Sequence, residues 1–133
     1  MSLFITSLNS GSNGNCYYIG NEREAILVDA GISCRETETR MKRLGLSMNK
    51  VKAIFISHEH SDHIRGVTVL AKKYRLPVYI TPLTYQHGGL FLDDELVIPF
   101  YEQQPILIGE LCITAFLKLH DAAHPHSFII TCR

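Results

Sequence analysis

His58, His60, Asp62 and His63 place four side chains of metal-ligating type within six residues, directly after the apolar run 52–57. A fold that carries them must end a buried strand near residue 57 and open a loop there, where α/β sheets usually hold their sites. Extended backbone sends alternate side chains to one side, so His58 and His60 can converge on a single ion. Asp62 continues that alternation, whereas His63 points elsewhere unless the backbone turns. The four thus divide naturally between two neighbouring positions. Two imidazoles suit a borderline ion such as zinc, and the added carboxylate also admits manganese or iron. The helical His-Glu-x-x-His zinc motif does not fit, because residue 62 is Asp rather than His.

The flanking pattern supplies the sheet. Residues 4–8 read as a strand, followed by the polar loop SGSNGN at 10–15. Residues 16–19 and 25–29 read as two further strands, joined by a turn at Gly20, Asn21 and Glu22. Ser33, three residues before Glu36, forms a capping box for a helix that carries Met41 and Leu44 on one face and stops at Gly45. After the 52–57 strand and the histidine segment, residues 66–74 predict a second helix with Val67, Leu70, Ala71 and Tyr74 at helical spacing. A strand at 78–81 runs into Thr81 and Pro82, the N-cap and first residue of a short helix. From there only strands follow, at 96–100, 105–108, 111–119 and 128–131, with a turn at Gly109 and Glu110. Strands alternating with helices, then strands alone, predict a mixed α/β sheet domain with helices packed against the sheet.

Composition bounds the function classes. The chain has 133 residues, enough for one domain with a core of its own, and 46% of them are hydrophobic. Thirteen basic residues balance 13 acidic ones, so no global field draws it to nucleic acid or to anionic lipid. No apolar run approaches the roughly 18 residues of a membrane span, and the first 15 residues lack the pattern of a secretion signal. Cys16, Cys34, Cys112 and Cys132 form no Cys-x-x-Cys pair and read as reduced thiols of a cytoplasmic protein.

The segment HEHSDH matches the His-x-His-x-Asp-His motif of the metallo-β-lactamase superfamily. The resemblance extends through SLNSGSNGNCYYI, ILVDAGIS, IFISHEHSDHIRGV and LHDAAHPHSFII, and is greatest to the YycJ/WalJ branch of bacterial cytoplasmic metallohydrolases that act as DNA exonucleases. It implies an αβ/βα sandwich, of which residues 1–133 would form the N-terminal part, its first αβ half, with no second domain. It also implies two divalent metal ions in the complete domain, zinc first and manganese second. His58, His60 and His120 would hold one, and Asp62 and His63 the other, with Asp62 the candidate catalytic residue. Asp29 would support the metal loop from behind. The family's later bridging aspartate and final histidine have no counterpart here, and His124 stands where the family usually has Asp. The activity implied is hydrolysis of DNA ends by metal-activated water. The alternatives are another hydrolase of this fold, a thioesterase or lactamase, and an inert fragment with an incomplete site. The same reading expects self-association, through apolar surface and an unpaired strand edge around residues 128–131.

The remaining candidates carry less. SGSNGN reads either as an anion-binding nest or as an ordinary loop. His124 and His126 read as exposed loop histidines that could also meet a phosphate or a stray metal, and His87 as solvated or structural. Lys72, Lys73 and Arg75 read as the wet face of a helix, and Arg65 as a phosphate-facing rim.

Overall fold

A computed structural model describes residues 2–119 and 121–133 of the chain. Its strands are β1 (Phe4–Asn9), β2 (Cys16–Gly20), β3 (Ala25–Val28), β4 (Val51–Phe55), β5 (Val78–Tyr79), β6 (Val97–Ile98), β7 (Ile106–Ile108), β8 (Leu111–Leu117) and β9 (His126–Cys132). The helices are α1 (Cys34–Arg43), α2 (Ser61–Ile64), α3 (Val67–Tyr74) and α4 (Pro82–His87). β1 to β6 form one sheet in sequence order, antiparallel through β3 and parallel from β3 to β6. β7, β8 and β9 form a second, antiparallel sheet.

Alternation along the central strands assigns the layers. Leu27 and Ile54 face the helices with Met41, Val67 and Leu70, while Ile26, Ala53 and Phe55 face the second sheet with Leu111 and Ile113. The layer order is therefore helices, six-stranded sheet, three-stranded sheet. A central sheet buried on both faces explains why β3 and β4 read as continuous apolar runs. Phe55 ties the sheets together, stacking on Tyr79 at 4.5 Å and meeting Phe128 edge-on at 5.7 Å.

Several elements depart from the sequence expectations for local reasons. β3 stops at Val28, because Asp29 adopts a left-handed conformation with φ 64°. Leu44 lies 52% exposed rather than beside Met41. It caps α1, Gly45 turns the chain at φ 70°, and Leu46 takes the core position. The Leu46 N–H bonds Met41 O at 2.9 Å and the Gly45 N–H bonds Lys42 O at 3.1 Å, the paired pattern of a Schellman stop. β5 is short because the Thr81 side chain caps α4 instead of continuing the strand. The expected strand at 96–100 shrinks to Val97–Ile98 behind a 3₁₀ turn.

Candidate metal centre

The site grows from the end of β4. Asp29, at the neighbouring end of β3, turns its carboxylate across the gap and accepts the Ser57 N–H at 2.7 Å and the Ser57 hydroxyl at 2.7 Å. The same Oδ2 lies 2.6 Å from His63 Nδ1. A hydroxyl has one proton, and Ser57 gives it to Asp29. The contact between Ser57 Oγ and His58 Nδ1, at 2.9 Å, is therefore donated by the ring. His58 and His63 thus both carry hydrogen on Nδ1 and a lone pair on Nε2, the form that ligates metal.

His63 reaches this position because the chain turns into α2 at Ser61, with the His63 N–H on His60 O at 2.8 Å. That is the turn without which it would point elsewhere. The His63 ring lies 3.9 Å and the His60 ring 4.7 Å, centroid to centroid, from the His58 ring. Asp62 Oδ2 stands 3.8 Å from His63 Nε2. Three imidazoles and a carboxylate converge at one strand end, a donor set that suits a borderline divalent cation. His120, the remaining ligand expected from sequence, lies outside the described residues.

The SGSNGN loop holds the centre from the other side. The Asn15 side-chain amide contacts Asp62 Oδ2 at 3.2 Å and His63 Nε2 at 3.2 Å, and the Asn15 N–H bonds Asp62 O at 2.6 Å. Sequence reasoning did not single out Asn15 or Ser57. Gly31 lies between these segments, where a Cβ would run into the Asp62 carbonyl and stand 2.7 Å from Asn15 N. Only glycine admits that approach. Arg65 is exposed, and its guanidinium bonds Asn13 O at 3.0 Å and fastens the same loop.

Other charged groups settle into structural roles. Burial pushes the Glu59 carboxyl up, but the Ala123 N–H, the Glu59 N–H and nearby histidines outweigh it and leave the group below its ordinary range. Glu59 thereby clamps the 121–125 loop, with Oε2 2.9 Å from Ala123 N. Burial, aided by the Asp29 charge, pushes the Cys16 thiol up to about 12, so it remains protonated. Lys73 and Tyr74 bond Glu38, and Arg75 pairs with Asp93 and Glu95, the wet helix face expected. His87 is exposed.

His126, read from sequence as an exposed loop residue, is instead 1% exposed at the start of β9. The signal was present: His126, Phe128, Ile130 and Cys132 alternate along one strand face. A cleft of about 400 Å³ runs between the two sheets, with Asp29, His58, His63 and His126 at its polar end and Phe128 and Ile130 along its apolar wall.

Residues 10–128 match the family model of the metallo-beta-lactamase superfamily. The chain belongs to that superfamily. It is 39% identical over 130 residues to exodeoxyribonuclease YycJ of Bacillus anthracis, covering 94% of this chain and 48% of the relative. It is 34% identical to exodeoxyribonuclease WalJ of Streptococcus pneumoniae, covering 91% and 47%. The chain spans about half the length of the curated relatives it matches. The metallo-beta-lactamase fold protein YhfI of Bacillus subtilis superimposes with a TM-score of 0.78 at 20% identity, covering 98% of this chain and 59% of that one. The expected fold is therefore present, and the three-stranded sheet adds to its first αβ layer pair. No helix among the described residues is long and apolar enough to cross a membrane.

Proposed function

We propose that this chain forms the N-terminal part of a metal-dependent phosphodiesterase that attacks DNA ends. One observation carries the reading: His58, His60, Asp62 and His63 meet at the end of β4, with Asp29 behind the rings. The likeness to two exodeoxyribonucleases, at 39% and 34% identity, supports DNA as substrate over a thioester or a lactam. His58, His60 and His120 would hold one cation, and Asp62 and His63 another, with zinc first and manganese second. Bound there, divalent cations supply Lewis acidity that acidifies water and offsets charge on a phosphoryl oxygen.

The chain's own residues do the positioning. Asp29 and Ser57 keep Nδ1 of His63 and His58 protonated, so the lone pair of each ring sits on Nε2, which in His63 meets the Asn15 amide at 3.2 Å. The Asn15 amide holds the Asp62 carboxylate in place, where an Oδ atom can accept a proton from the attacking water. No serine or cysteine nucleophile is required: the Cys16 thiol is held protonated and buried. A cytoplasmic setting belongs to the same proposal, supported by four cysteines that are all free.

The test is metal-dependent release of nucleotides from DNA by this chain, set beside thioester and β-lactam hydrolysis. Slow turnover of DNA alone is expected, with turnover lost and metal content reduced in His58→Ala, and both kept in His87→Ala. Thioester turnover, or equal metal loss in both variants, overturns the reading.

Self-association is part of the same reading. β9 forms the outer edge of the three-stranded sheet, and Leu107, Leu117 and Ile129 lie exposed on that sheet. An uncovered seven-residue edge strand is a template for a second copy. Light scattering across a dilution series is expected to show a concentration-dependent dimer, and a constant monomer removes this part.

A further inference from the structure

Glu102, His124 and His126 lie outside the ligand set that the resemblance assigns, yet one donor atom from each falls within 4.8 Å of the others. His126 Nδ1 faces the His124 carbonyl at 2.9 Å and must donate to it, which leaves the lone pair on Nε2. That Nε2 is buried, has no hydrogen-bond partner, and points at Glu102 Oε1 from 3.6 Å. A lone pair facing a carboxylate oxygen at that range is repulsive unless a proton or a cation lies between them.

The spacing suits a metal. Ligand atoms about 2.0–2.1 Å from a tetrahedral ion stand roughly 3.3–3.4 Å apart. Glu102 Oε1 lies 3.6 Å from His126 Nε2 and 3.8 Å from His124 Nε2. The two rings stand nearly perpendicular, with centroids 4.5 Å apart. The supports are firm. The His126 N–H bonds Ser57 O at 2.9 Å, and its ring packs edge-on to Phe100 at 5.0 Å. The turn bearing Glu102 is tied to β8 by the Gln103 N–H on Ala115 O at 2.8 Å.

We propose that Glu102, His124 and His126 form a further divalent-cation site of the zinc type, beside the His58 cluster, with two imidazoles, one carboxylate and a position open to solvent. It takes a borderline ion such as zinc or cobalt(II), and it stands whether or not the chain acts on DNA.

The experiment is equilibrium dialysis against zinc, with cobalt(II) absorption as a second readout. It uses the unaltered chain, Glu102→Gln, His124→Ala and His58→Ala. Glu102 and His124 are the solvent-facing members, so their variants keep the core intact. Each is expected to lose about one equivalent of zinc, or to bind it at least roughly tenfold more weakly. His58→Ala is expected to keep a tetrahedral cobalt band that disappears when Glu102→Gln is added. Should His58→Ala fail to fold, zinc stoichiometry of the unaltered chain against Glu102→Gln decides alone. Unchanged zinc binding in Glu102→Gln and His124→Ala overturns the proposal and leaves a metal-free His126–Glu102 contact.

Discussion

Two groups of histidines border one cleft, through His58 and His63 on one side and His126 on the other, and they differ in where the carboxylate stands. At the end of β4, Asp29 lies behind the rings, on the Nδ1 side, 2.6 Å from His63. At the start of β9, a backbone carbonyl takes the Nδ1 position, and Glu102 stands in front, 3.6 Å from His126 Nε2. A carboxylate behind an imidazole fixes its tautomer and raises its basicity, whereas one in front competes for, or shares, whatever the ring binds. Asp29 is thus a positioning group and Glu102 a ligand group, although both are acids beside histidines.

Asp29→Asn tests this division most severely. Asn tolerates the left-handed backbone at this position. Its amide, however, cannot accept from the Ser57 N–H, the Ser57 hydroxyl and His63 together. Metal affinity at the β4 cluster is expected to fall roughly 10–100-fold, while the Glu102 group keeps its ion. Equal losses at both groups, read by cobalt titration, would erase the distinction.

Gly31→Ala comes next. Its Cβ meets the Asp62 carbonyl and Asn15 N, so the loop and α2 must separate. Urea unfolding is expected to show a loss of about 1–3 kcal/mol, the range of an overpacked site. An unchanged midpoint would mean that the Asn15–Asp62 closure is not tight.

Cys16→Ala probes the buried negative charge of Asp29 through pH. The Cys16 thiol rises from an ordinary 9.0 to about 12, so between those values the native state holds a proton that the unfolded chain has released. Stability is therefore complete below about pH 9 and falls as pH rises, by at most about 1.4 kcal/mol per pH unit. Urea midpoints taken at mildly and strongly alkaline pH are expected to fall less in Cys16→Ala than in the unaltered chain. Parallel slopes would count against a desolvated thiol next to Asp29. The smallest effect belongs to His87→Ala: this histidine is exposed on α4, outside both groups, and metal content by mass spectrometry should not change.

The two groups were unequally legible in the sequence. His58 and His60 follow from extended alternation, but Asp62 does not continue it: Asp62 and His63 both lie in α2 and needed the turn at Ser61, which is set by contacts with Asn15 and Ala30 some distance away in the chain. His126 was readable as the first inward residue of β9, yet Pro125 and the polar run before it suggested a loop. Glu102 carried no signal, because its place depends on a turn tied to β8. Core positions held up where periodicity was sustained, as with Val67, Leu70 and Ala71. They failed at Leu44, where the helix stop rotated the next apolar residue, Leu46, into its place.

The hydrogen bonds that close the β4 cluster join residues far apart along the chain. Asp29 reaches Ser57 across 28 positions, and Asn15 reaches Asp62 across 47. Contacts of such length close long loops, and the entropy of closing them must be met before the contacts reward it, which slows folding. Capacity to bind a cation at the cluster therefore requires Asn15, Asp29 and the segment 57–63 to have come together. The rate at which a refolding chain captures cobalt becomes a clock for completion of the sheet, rather than for its beginning.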